Sequence, residues 1–165
     1  MNKLDLKIIE LDSSEYIDTP YENEVYANIS LDILLDRDRV FNLFKIKWDA
    51  ICLLEWVIEN KQAILTESPP SFIKGYVSLA CGVSNFYETV DVDNLKDLNL
   101  MFKYRTRHGL RFSLRGVDID EIYIGMSNED YEISYWGDNS NWSYKIDLPN
   151  FIGSVENYYF SLKNK

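Results

Sequence analysis

One histidine, two cysteines, four prolines and seven glycines are all that 165 residues carry of these types. Each scarcity removes a class of explanation. A zinc site or a disulfide framework needs more sulfur or imidazole than Cys52, Cys81 and His108 supply. In their apolar helical surroundings the two thiols read as buried and reduced, a single disulfide between packed helices staying open. Neither cysteine has a histidine partner in a nucleophile pattern, and the glycines are scattered rather than gathered into a phosphate loop. Positive charge is also short: 17 Lys and Arg against 27 Asp and Glu leave a net charge of -10. Nucleic acid and anionic membranes both demand a positive footprint, so neither is expected as the main partner. A cationic partner fits better. Long apolar runs are missing as well. Residues 48–65, the most apolar region, contain Asp49, Glu55, Glu59 and Lys61 and cannot be a membrane span. The opening MNKLDLKIIELDSSEY has early acids and no apolar core, unlike a signal peptide. The expectation is a cytoplasmic protein with no metal and no cofactor.

What is present is a folding chain. A content of 46% hydrophobic and 15% aromatic residues is too high for general disorder, and 165 residues suffice for one cored domain spanning 1–165. Residues 109–148 organise it, because apolar and polar residues alternate through most of them. Leu110, Phe112 and Leu114 form one apolar set; Ile122, Ile124 and Met126 the next; then Tyr131, Ile133 and Tyr135; then Trp142, Tyr144, Ile146 and Leu148. Turn formers separate the sets at 116–120, 127–130 and 137–141. The pattern predicts a four-stranded antiparallel meander buried on one side.

Two further strands are expected at residues 4–11 and 24–29, with the option of extending that sheet. Ser30 reads as the N-cap of a helix over 30–44, with Leu31, Leu34, Leu35 and Phe41 as its stripe. Asp36, Arg37, Asp38 and Arg39 then read as a solvated, self-pairing surface. The strongest helical spacing covers 47–66, through Ala50, Leu53, Leu54, Val57, Ile58, Ile64 and Leu65. Pro69 and Pro70 end it, and helical spacing resumes over 71–89, over 91–105, and beyond Leu148 with Pro149 near the start. The class is α+β, helices packed against an antiparallel sheet.

Two groups of residues could carry function. Lys103, Arg105, Arg107, Arg111 and Arg115 surround His108, the one basic island in an acidic chain. With Asp118, Asp120 and Glu121 nearby, the residue types suit phosphodiester chemistry, arginines holding phosphate and His108 moving a proton. The competing and preferred reading pairs the arginines with carboxylates, His108 merely preceding the turn glycine Gly109. DVDNLKD spaces Asp91, Asp93 and Asp97 somewhat like a calcium loop, but Lys96 stands where that loop needs glycine and Phe102 where it needs glutamate.

The second group is acidic and aromatic. Asp118, Asp120, Glu121, Glu129, Asp130, Glu132 and Asp138 follow one another without an intervening Lys or Arg. Alternation puts Trp136 on the side of Glu132 and Ser134. A tryptophan in a carboxylate field makes a protein-binding hot spot, the ring supplying area and the charges steering a basic partner. The alternative is that another element covers Trp136 and the acids serve solubility. A second acidic concentration, from Asp5 to Glu24, lies near the N-terminus.

In its NYYFSLKNK and EISYWGDNSNWSYKIDL segments, rich in Asn, Ile, Lys and Tyr, the chain resembles small immunity proteins of bacterial contact-dependent inhibition and polymorphic toxin systems. The likeness is one of character along the whole chain, and no single residue is carried over from it. It implies a non-enzymatic acidic α+β protein that binds a cognate, basic toxin domain and occludes its active or substrate-binding surface.

Overall fold

The computed structural model describes residues 1–16, 18–36 and 38–165. In chain order the elements are β1 (Lys3–Glu10), a 3-10 turn (Ser13–Glu15), β2 (Tyr26–Leu34), β3 (Val40–Asp49), α1 (Ala50–Thr66), α2 (Leu79–Thr89) and α3 (Leu95–His108). A second 3-10 turn (Leu110–Ser113), β4 (Tyr123–Ser127), β5 (Asp130–Trp136), β6 (Asn141–Lys145) and α4 (Leu148–Lys163) follow. The class is α+β, with two three-stranded antiparallel sheets, β1-β2-β3 and β4-β5-β6. The chain divides into two compact units. One holds Met1–Glu59, Ser113–Ile119 and Asp147–Lys165; the other holds Asn60–Phe112 and Asp120–Ile146.

In the first unit, β2 sets the pattern. Ala27, Ile29, Leu31 and Ile33 alternate along it and all are fully buried. Leu4 and Leu6 of β1 lie opposite Ile33 and Leu31 in the same register. Each such side chain contributes about 1.5–3 kcal/mol on burial, so a one-residue slip would be very costly. This overturns the helix expected over 30–44. Leu31, Leu34 and Leu35 fit a helical stripe, but Ile29, Leu31 and Ile33 fit a strand equally well, and the hairpin buries more of them. Its turn is closed by Leu35 N–H donating to the Arg39 carbonyl at 2.8 Å, with Asp38 in the left-handed region at φ 60°. Of the charged quartet expected there, Arg37 lies outside the described residues.

α1 starts at Ala50, since Lys47 to Asp49 complete β3. Asp49 marks the junction: its Oδ1 accepts from Val25 N–H at 2.9 Å and from Ile51 N–H at 3.0 Å. The Cys52 thiol donates to Asp49 Oδ2 at 3.2 Å. Cys52 is exposed, contrary to expectation, because it shares a side of α1 with Glu55 and Glu59 rather than with Leu53, Leu54 and Val57; Cys81 is buried, and both thiols are free. α4 packs on β1, its start fixed by Asp147 accepting from Asn150 N–H at 3.2 Å and by Pro149 in the first turn.

The second unit corrects the four-stranded meander. Only β4, β5 and β6 pair; Leu110–Ser113 is a 3-10 turn, tied to the sheet by a bridge between Gly109 and Tyr123 and by Leu110 N–H on the Ile122 carbonyl. Leu110 and Leu114 are buried while Arg111 and Arg115 are exposed. Four residues apart is also about one helical turn, so alternation over so short a run cannot separate turn from strand. The N-terminal strands form their own sheet and do not extend this one. The unit's core joins Leu79, Ala80 and Val83 of α2 to Met101 and Tyr104 of α3 and Tyr123 of β4. α2 begins later than the expected Ser71, at Leu79, where Ser78 caps it by accepting from Cys81 N–H. Among the described residues no helix is long and apolar enough to cross a membrane.

Candidate functional site

The eight acidic and aromatic residues singled out by sequence do not form one field. Asp118 belongs to the first unit and the other seven to the second. Glu129 and Asp130 sit at the β4–β5 turn, where Asp130 pairs with Lys145. Asp120 and Glu121 lead into β4, while Trp136 ends β5 and Asp138 follows it. The seven residues of β5 separate these two ends of the sheet by about 20 Å. Glu132 is not on an outer face at all. It is 7% exposed, and its Oε1 accepts from Leu79 N–H at 2.8 Å. Ser134 likewise accepts from Ala80 N–H at 3.1 Å. The polar face of β5 is therefore occupied by the N-terminus of α2, whose first N–H groups have no partner within the helix and take these side chains instead. The exposed placement expected for Glu132 is thereby corrected.

What the structure does assemble is the end of the sheet bearing Glu121 and Trp136. β4–β5 pairing ends at Tyr123 opposite Ser134, and Glu121 on one chain segment and Trp136 on the other lie just beyond that end. Both line an open cleft of about 320 Å³, together with Arg105, Tyr123, Tyr87 and Glu88. Trp136 is half-buried and packs against the unit's core, so one part of the ring is covered and the rest faces the cleft. Arg105 is held from three directions. Its Nε donates to Tyr123 Oη at 3.0 Å, its Nη2 to Glu121 Oε1 at 3.0 Å, and its guanidinium lies 4.9 Å over the Tyr87 ring. Burial alone would lower the Arg105 pKa, but Tyr123, Tyr87 and Glu121 outweigh it and raise it. Burial also raises the Tyr123 phenol, which donates to Glu121 Oε2 at 3.3 Å. Arg111 adds a second cation on Glu121 Oε1 at 3.2 Å. The cleft thus has a fixed aromatic and ionic floor, with exposed Asp120 and Asp138 at the same end of the sheet.

His108 is turned inward and Arg107 pairs beside it. His108 is 0% exposed and stacks on Tyr104 with ring centroids 4.1 Å apart. Its Nδ1 lies 2.9 Å from the Ile124 carbonyl and its Nε2 3.1 Å from Glu67 Oε2. Gly125 permits this approach, since a Cβ there would stand 2.5 Å from His108 Nδ1. Arg107 Nε donates to the same Glu67 Oε2 at 2.8 Å, and its Nη2 pairs with Oε1. With both ring nitrogens engaged and no exposed edge, His108 offers no proton to a ligand at the surface. Lys103 and Arg115 are exposed.

Glu67 escaped the sequence reading because it lies 40 residues before Arg107, and no local spacing announces such a partner. Tyr87 and Glu88 escaped because helical spacing over 71–89 by itself singles out no exposed aromatic, and Tyr87 is exposed. Among the described residues no group of three or more His, Cys, Asp or Glu is placed to hold a metal ion. Comparison with family models, with curated proteins and with solved structures finds no match for this chain.

Proposed function

We propose that this protein is a non-enzymatic inhibitor of the immunity kind, which binds a basic toxin domain and covers its active or substrate-binding surface. The observation that carries this reading is the way charge is disposed in the second unit. Glu67 and Glu121 take up Arg105, Arg107, Arg111 and His108, while Asp120, Glu129 and Asp138 remain exposed. Glu67 and Glu121 thus hold three of the island's arginines in ion pairs and offset two of its five Lys and Arg charges, and much of the net charge of -10 faces outward. Asp120 and Asp138 then steer a cationic surface toward the cleft, where Trp136 and Tyr87 supply contact area on a floor fixed by Arg105 and Glu121. The resemblance to immunity proteins supplies the partner's class.

The test is capture of partners from the native cells at low and moderate salt, followed by co-expression of each captured protein with this chain. The expected result is one basic protein domain, bound one to one, whose toxicity this chain suppresses. Suppression should fail for Asp120→Lys combined with Asp138→Lys. Recovery of nucleic acid, or of a partner without a positive surface, would contradict the proposal.

A further inference from the structure

The first unit carries a second cleft, of about 270 Å³, where the chain after β1 passes beside β2 and β3. Leu11 and three aromatic rings, Tyr16, Tyr26 and Trp48, line it together with Glu15, Asp18 and Lys47. The rings are half-buried and held by different segments. Tyr16 follows the 3-10 turn, while Tyr26 and Trp48 belong to adjacent strands. Tyr16 and Tyr26 stand 5.8 Å apart between centroids and are inclined by 57°, walls of a concave site rather than a flat stack. Trp48 is braced from behind, since a Cβ on Gly116 would meet its ring at 3.0 Å.

The charges around the rings are unequal. Lys47 is drawn to Glu15 at 3.8 Å, and Glu15 also accepts from Asp12 N–H at 3.1 Å. Asp18 is exposed beside them. The phenol of Tyr26 is raised by burial and then by Glu24, Asp49 and Asp18. In the cleft itself two carboxylates, Glu15 and Asp18, stand against one ammonium, and Lys47 is already drawn to Glu15, which leaves the Asp18 charge to a ligand. An aromatic concavity in a negative field attracts cations through the ring faces, and a planar guanidinium suits it best, because it stacks on rings while its N–H fork meets carboxylates.

We propose that this cleft receives an arginine side chain of the protein partner, with the guanidinium between the aromatic walls and Asp18. The partner, though not the cleft's preference for guanidinium, rests on the function proposed above. The experiment is an NMR titration of the full chain with N-acetyl-arginine amide, following the Trp48 indole, with the uncharged citrulline analogue as control. Arginine amide should give a saturable shift and citrulline amide none. Asp18→Asn and Tyr16→Leu, both at accessible positions, should each weaken binding about two- to fivefold. An unsaturable response, or equal shifts from the citrulline analogue, would overturn the proposal. Saturable binding in a protein for which no basic partner is found would uphold the cleft and sink the partner, so the two failures are distinguishable.

Discussion

Glu67 joins the buried His108 to Arg107 in the second unit. Burial alone would raise its pKa, but hydrogen bonds from His108 and Arg107 outweigh this and bring it down to about 2, from an ordinary value of 4.5. A carboxylate depressed in the folded state contributes stability that is full above its unfolded value and is lost as pH falls through the folded one. The contribution should therefore disappear between pH 4.5 and about 2. Chemical denaturation across that window should show the loss in the natural chain and a shallower one in Glu67→Gln. At neutral pH the same substitution should cost about 1–3 kcal/mol, because it leaves a buried imidazole and an arginine imperfectly paired. An unchanged acid limb in Glu67→Gln would show that other carboxylates control acid unfolding. Cys52 illustrates the same scale. It is exposed, yet its thiol is pushed up to about 12, by burial first and then by the Asp49 carboxylate, which makes it a poor nucleophile at neutral pH.

At the scale of elements, the informative contact is the docking of α2 onto β5. Ser78, Glu132 and Ser134 accept from three N–H groups of its first turn, two of them across 53 and 54 residues of chain. Glu132→Ala leaves the Leu79 N–H buried without its acceptor and should cost about 1–3 kcal/mol, whereas Glu132→Gln keeps an acceptor oxygen and should cost less. Equal thermal stability of the Ala variant and the natural chain would mean that the helix is held by its apolar contacts alone. This contact also explains what alternation could and could not reveal. Residues 131–136 were legible as a strand, and Glu132, Ser134 and Trp136 as one face of it. Alternation equates a polar face with solvent, however, and here the polar groups face a helix terminus instead. The hairpin of β2 and β3 was misread for a related reason, as its leucines satisfy both periods. α1, α3 and α4 were legible because their apolar spacing runs for several turns, long enough for only one period to fit. Of the candidate site, Glu121 and Trp136 were legible, while Arg105 was read only as part of the basic island. Their convergence depended on how α2 and α3 pack beside the end of the sheet, bringing Tyr87 and Arg105 to it, which no local pattern contains.

At the scale of the whole molecule, charge governs. A net charge of -10 predicts long-range attraction of a basic partner and an association rate that ionic strength suppresses. It also separates the partner-binding reading from one built on the arginine cluster, since nucleic acid would be repelled by the same field. Because Arg105 and Arg111 share Glu121, and Arg107 and His108 share Glu67, removing the cluster should disturb folding before it disturbs any recognition. In the function proposed here, the acidic, aromatic end of the second sheet meets a basic protein surface. The most direct test is the association rate with the captured partner, measured by stopped flow across ionic strength for the natural chain and for Asp120→Lys with Asp138→Lys. The rate for the natural chain should fall by about tenfold or more as salt rises, and the variant should associate more slowly and with a weaker salt dependence. Identical salt dependence in the two proteins would contradict that function.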